Sequence, residues 1–236
     1  MSYVFAICPM SKMDPEIFHT HVSRTVSSCF TSLHHIRSIR RSVLKPVLLS
    51  LVTAMVPSRL DCGSVTLNGI TKRLMDRLQS VLNAAARLVS NSRNYDRVSP
   101  LLRDLYWLCV PECMKFCLAV LMFRCCNQTA PEYMVRELQW AIEVESRRRL
   151  RSASSQRLVV RRTRLRTAGD RAFIAAAPRL WNSMPADVVA SQSLATFKGR
   201  LKTFLFAQSF DHWRPQTLCH LPLKPPGLWQ AKYRRF

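Results

Sequence analysis

Apolar residues recur at steps of three and four through much of the first 140 positions, the period of a helix with one buried face. From Ile17 to about Arg41 the repeat is Val22, Val26, Cys29, Phe30, Leu33 and Ile36, with Arg24, Arg37, Arg40 and Arg41 on the remaining turns. A second helix is predicted from about Leu44 to Leu60, with Val47, Leu48, Leu51, Val52 and Met55 as its apolar positions. Pro46 suits its first turn, and Pro57 is placed to kink or end it. Gly63 and Asn68-Gly69 signal turns. The clearest amphipathic pattern follows, with Thr71 as N-cap and Ile70 as a staple. Leu74, Leu78, Val81, Leu82, Ala85, Leu88 and Val89 form its buried side, and Asn91-Ser92-Arg93-Asn94 ends it.

After a short apolar stretch from Tyr106 to Val110, Pro111 opens a helix to about Cys126. Met114, Phe116, Cys117, Leu118, Val120, Leu121, Met122 and Phe123 leave it almost no polar side, which predicts a central, buried position. Asn127 to Pro131 reads as a turn and Glu132 to Trp140 as a short helix. Arg157-Leu158-Val159-Val160 suits a short extended segment. Arg171 to Trp181 is helix-compatible, with Phe173, Ala176, Ala177 and Leu180 to one side. Pro185 begins a linker, and Ser193 caps a last helix carrying Leu194, Phe197, Leu201, Phe204 and Leu205. The expected fold is mainly α, a helical bundle followed by a less regular basic C-terminal region. The expected organisation is a distinct N-terminus over 1–15, a bundle over 16–140, an Arg-rich segment over 141–210 and a Pro-rich tail over 211–236.

Charge changes this picture. The 236 residues hold 36 Lys plus Arg against 14 Asp plus Glu, a formal charge of +22. Such an excess repels itself in a compact state and is best tolerated against a polyanion, so nucleic acid is the leading partner class. Ten of the arginines fall between Arg147 and Arg171, where Asp170 is the only acid. No apolar run approaches the roughly 20 residues needed to span a bilayer. Met1 to Met10 lacks the basic start of a signal peptide. Nine cysteines in no disulfide-like spacing favour a reducing, intracellular setting, nuclear or cytoplasmic. Five glycines form neither a dinucleotide fingerprint nor a Walker loop.

Several strings, in order, resemble the C-terminal part of the reverse transcriptase of LINE-type (non-LTR) retrotransposons of the jockey-related groups. They include His21-Val22-Ser23-Arg24-Thr25-Val26, Ser58-Arg59-Leu60-Asp61-Cys62 and Asp76-Arg77-Leu78-Gln79-Ser80-Val81-Leu82-Asn83-Ala84-Ala85-Ala86-Arg87-Leu88-Val89. Ala130-Pro131-Glu132-Tyr133, Arg147-Arg148-Arg149-Leu150-Arg151-Ser152, Gly169-Asp170-Arg171-Ala172-Phe173, Ala176-Ala177-Pro178-Arg179-Leu180-Trp181-Asn182-Ser183 and Phe197-Lys198-Gly199-Arg200-Leu201-Lys202 continue it. The resemblance covers about residues 16–208 and lies downstream of the polymerase palm. It implies a thumb-like bundle and a basic segment that grip template–primer duplex or RNA. One departure is Arg161, where the family often has proline after the paired valines. The family's palm carries a Phe/Tyr-x-Asp-Asp loop, and two-metal nucleotide transfer needs closely placed carboxylates. This chain has no Asp-Asp pair, so it is expected to be no enzyme on its own.

The candidate contacts are therefore to phosphate. Arg147, Arg148, Arg149, Arg151, Arg161, Arg162, Arg164 and Arg166 form two blocks whose planar, permanently charged forks match phosphate oxygens. Arg73, Arg77 and Arg87 share one helical face with Ser80 and Ala84, small enough for a backbone to approach. Alternatively these charges form a solvated linker, a nuclear address or an ordinary solvated helix face. Cys109, Cys113 and Cys117, with Cys125 and Cys126, lack the turn and the histidines of a zinc finger and read as buried thiols. No metal or cofactor is expected. Trp107 and Trp181 read as core anchors rather than base-stacking platforms. The expected function is a nucleic-acid-binding fragment contacting an RNA or DNA backbone, with upstream polymerase parts as further partners and no membrane. The alternatives are a helical protein-interaction module and a decayed retroelement frame without selected function.

Overall fold

A computed structural model of the chain describes residues 15–61, 70–143, 157–162 and 173–210. Of these, 76% are helical and none belongs to a strand, so the fold is mainly α. The chain divides into two packing units. Among the described residues, one comprises 15–61, 70–113 and 205–210, the other 114–143, 157–162 and 173–204. Packing thus divides the chain inside a helix, whereas composition changes near residue 141.

In the first unit α1 (Pro15–Ile39) buries Phe18, Val22, Val26, Cys29, Leu33 and Ile36. A 3₁₀ turn (Arg40–Ser42) leads to α2 (Lys45–Met55), whose second residue is Pro46. Val56 interrupts the helix before α3 (Pro57–Asp61), the break that Pro57 predicts. The long amphipathic α4 (Lys72–Ser90) packs against α1, α2 and α5 (Val98–Asp104). Leu74, Leu78, Val81, Leu82, Ala85, Ala86 and Val89 are its buried side. Asn91 ends it at φ 57°, a left-handed conformation asparagine tolerates, and its N–H bonds to the Arg87 carbonyl. The Gln79 side chain accepts the Val110 N–H at 2.9 Å and so satisfies one of the amides that has no partner within the helix at the start of α6 (Val110–Cys126). Trp107 is buried, as expected of an anchor. Tyr106 stacks on Phe206 with ring centroids 5.9 Å apart.

In the second unit, from Met114 onward, α6 buries every apolar residue from Phe116 to Phe123. A helix that is apolar on all sides must be covered on all sides. Phe123 stacks on Phe197 at 4.4 Å, and Phe197 on Trp181 at 6.0 Å. Leu121, Cys125 and Met134 form a further cluster, with Ala130, Leu138 and Phe173 against it. The remaining elements are α7 (Glu132–Arg136), a 3₁₀ turn (Ala141–Glu143), α8 (Phe173–Ser183), α9 (Ala186–Val189) and α10 (Leu194–Ser209). Ser193 caps α10, its hydroxyl oxygen accepting the Thr196 N–H at 3.2 Å. Residues 157–162 are non-helical and carry an antiparallel bridge between Trp140 and Leu158.

Several expectations need correction. Phe30, Val47 and Met55 are exposed, because each sits at the edge of its apolar stripe. Thr71 occupies the N-cap position of α4 but makes no capping side-chain bond. Leu88 is half-buried and Ala86 takes its place in the core. The helix from Glu132 ends at Arg136, and Trp140 pairs with Leu158 instead. On α8 the buried residues include Ala175, Pro178 and Trp181, while Phe173 and Leu180 are half-buried. The stretch after Pro185 is the short α9, for which Pro185 serves as N-cap. The turn signals at Gly63 and Asn68-Gly69 lie outside the described residues.

Candidate nucleic-acid interface

The first unit presents the helical arginines. Arg73 on the first turn of α4 is exposed. Arg77 and Arg87 are half-buried. The Arg77 Nη1 donates to the Ser23 Oγ of α1 at 2.9 Å, and Ser23 Oγ donates to the His19 carbonyl at 2.7 Å. Arg87 turns toward the loop after α4, its Nη2 donating to the Asp96 carbonyl at 3.4 Å, while its Nε is buried without a hydrogen-bond partner. The three arginines therefore share a face in register but not in circumstance. Arg73 faces water, and the other two hold neighbouring parts of the protein.

A further basic surface lies outside the predicted site residues. From Ile17 to Leu60 the chain carries Arg24, Arg37, Arg40, Arg41, Lys45 and Arg59 and no Asp or Glu. Arg24, Arg37 and Arg41 are exposed, as are His19, His21, His34 and His35 along α1. Arg59 of α3 lies across α1, its Nη1 donating to Ser28 Oγ at 2.6 Å and Ser32 Oγ at 3.1 Å. The signal available was the missing carboxylates rather than the density of arginines.

In the second unit the described part of the Arg-rich segment is short. Leu158 is buried, and the Asn182 side-chain amide bonds both of its backbone groups: Leu158 N–H to Oδ1 at 3.0 Å and Nδ2–H to the Leu158 carbonyl at 2.9 Å. The other edge pairs with the chain before it, Val159 N–H to the Gln139 carbonyl and Ala141 N–H to the Arg157 carbonyl, both at 2.9 Å. Arg161 and Arg162, just beyond this anchor, are exposed. Arg161 also pairs with Glu137 at 3.3 Å, an exposed contact that contributes little. Arg147, Arg148, Arg149, Arg151, Arg164 and Arg166 lie outside the described residues.

The cysteines divide by burial. Cys113, Cys117 and Cys125 are buried and Cys109 and Cys126 half-buried, all as free thiols. Burial pushes Cys125 and Cys126 up to about 12, and Cys109 to about 11 with help from the nearby Glu112 carboxylate. Thiols held protonated this firmly are poor metal ligands and poor nucleophiles. No group of three or more metal-ligating side chains occurs among the described residues. On α10, burial lowers the Lys198 ammonium below its ordinary value, and the positive charge of Arg124 pushes the same way.

No helix among the described residues is long and apolar enough to cross a membrane. Compared with protein-family models, curated proteins and solved structures, the chain matches none.

Proposed function

We propose that the chain is a nucleic-acid-binding segment of LINE-type reverse transcriptase ancestry. It grips the phosphate backbone of RNA or DNA through arginines and has no polymerase activity of its own. The observation that carries this reading is the charge distribution. Exposed cations line α1 and the start of α4, the stretch from Ile17 to Leu60 contains no carboxylate, and the segment from Arg147 to Arg171 adds +9. A polyanion relieves the resulting repulsion by releasing its condensed counterions. The test is binding of the purified chain to an RNA hairpin and a DNA duplex across a salt series, beside primer extension with Mg²⁺ or Mn²⁺. Salt-dependent binding without extension supports the proposal. Salt-independent binding, or extension that survives repurification, refutes it.

A second reading, a helical module that docks onto protein such as upstream polymerase parts, has its own support. Leu44 is 76% exposed and Val47 49% exposed, with Met55 also exposed two turns further along α2. Large apolar side chains left open on one helix are a common mark of a protein contact. The two readings are compatible, because different residues serve them: exposed apolar side chains of α2 and its N-cap in one, arginines in the other.

A further inference from the structure

We infer that Tyr95 is a base-stacking residue for single-stranded nucleic acid, on the loop that follows α4. This inference rests on the nucleic-acid reading above and adds a strand preference to it. Among the exposed Phe, Tyr and Trp side chains of the described residues, Tyr95 is the most open, at 74%. An aromatic ring left in water costs hydrophobic free energy, and a base recovers it. The ring is nonetheless held. The Arg93 Nη1 donates to the Tyr95 hydroxyl, and the Arg93 guanidinium carbon lies 5.8 Å from the ring centroid.

The loop beneath the ring is tied down at several points. The Arg93 N–H donates to Asp96 Oδ2 at 2.7 Å, and the Asp96 N–H donates to the Arg93 carbonyl at 3.2 Å. Arg87 donates to the Asp96 carbonyl. Asp96 is the only carboxylate of the loop, and its bond to a backbone amide engages one of its oxygens. Exposed Arg93 and Arg97 flank the ring on either side along the chain. An aromatic ring held by one guanidinium, with a second exposed guanidinium two residues on, suits a single strand: the ring takes the base, Arg93 holds the ring, and Arg97 is free to take an adjacent phosphate. In a duplex the bases are already stacked on each other, so the ring has no partner there.

The test uses the full chain with Tyr95→Ala and Tyr95→Phe, by fluorescence anisotropy on a 15-nucleotide RNA, its DNA counterpart and the matching blunt DNA duplex. Far-UV circular dichroism checks that both variants fold. Tyr95→Ala is expected to weaken single-strand binding about tenfold, with the salt slope unchanged because no phosphate contact is lost. Duplex binding should stay within about twofold, and Tyr95→Phe, which keeps the ring, should retain most single-strand affinity. Single-strand affinity unchanged in Tyr95→Ala would overturn the inference while leaving the phosphate-binding proposal intact. An equal loss on single strand and duplex would also overturn it, as a general effect on the loop. A wild-type chain that binds none of the three would overturn both.

Discussion

Arg77 on α4 and Ser23 on α1 meet at 2.9 Å, and this bond links two helices far apart in sequence. A guanidinium committed to a neighbouring helix is worth more to stability than to phosphate. Replacing Arg77 with Met should lower unfolding free energy by about 1 kcal/mol, below the roughly 1.5–3 kcal/mol of a hydrogen bond from a charged group because the site is half-open to water. Arg73→Gln should leave stability within about 0.5 kcal/mol and flatten the salt dependence of binding by about one slope unit. Urea denaturation and a salt titration on the same two variants separate the roles.

Leu121 sits in the cluster with Cys125 and Met134, on the helix that is apolar on every side. Leu121→Ala should cost about 2–5 kcal/mol through lost transfer energy and the cavity left behind. Val47→Ala, at an exposed position of α2, should change stability by less than about 0.5 kcal/mol. A melting profile unmoved by Leu121→Ala would remove that helix from the centre of the fold.

The raised thiols give a pH dependence with a definite sign. The folded state holds the Cys125 and Cys126 protons more tightly than the unfolded chain, whose thiols ionise near 9. Their stabilising contribution is complete below about pH 9 and is lost as the pH climbs through about 12. Thiol labelling at pH 8 should therefore be slow at these two residues in the native protein and fast in urea. EDTA should change neither the far-UV spectrum nor nucleic-acid binding. Stoichiometric zinc by mass spectrometry would contradict the buried-thiol account.

The basic segment should dominate salt dependence. If about five of its arginines meet phosphates at once, they contribute a slope of roughly −4.5 and weaken binding about 500-fold between 50 and 200 mM salt. Replacing Arg147, Arg148, Arg149, Arg161 and Arg162 with Gln should flatten the slope by several units on unrelated sequences alike, since phosphate contacts carry no base information. An unchanged slope would identify the cluster as a solvated linker or an address signal.

The long helices were legible because their patterns are local. α4 shows its face in its own 19 residues, and α6 shows that it has none. What escaped depends on distant partners or on brevity. α5 is seven residues long with Pro100 in its first turn, where the missing N–H does no harm. α9 is four residues and begins after a proline that read as a breaker. Trp140 left the predicted helix because its backbone partner, Leu158, lies beyond a long intervening segment. The same limit applies to the arginine stripe. Spacing placed Arg73, Arg77 and Arg87 on one face, but nothing local revealed that Ser23 waits for Arg77 or that Arg87 turns to Asp96.

The clasp at Leu158 also fixes a length scale. The bond from Ala141 to Arg157 at 2.9 Å brings together two residues sixteen positions apart in the chain. Arg151 is seven residues from Leu158 and Arg166 is eight. A fully extended chain covers at most about 3.6 Å per residue, so the backbone of Arg151 and of Arg166 reaches no further than roughly 25–30 Å from that point. Together they sweep no more than about 55 Å, near 16 base pairs at a rise of about 3.4 Å per pair. Once one block touches a polyanion, the other is confined to the same short stretch. Under the proposed function its encounter would be intramolecular, and the pair is expected to act by avidity rather than by summed affinity. The footprint expected of the cluster on nucleic acid therefore has a ceiling set by this tether, whatever the length of the strand offered.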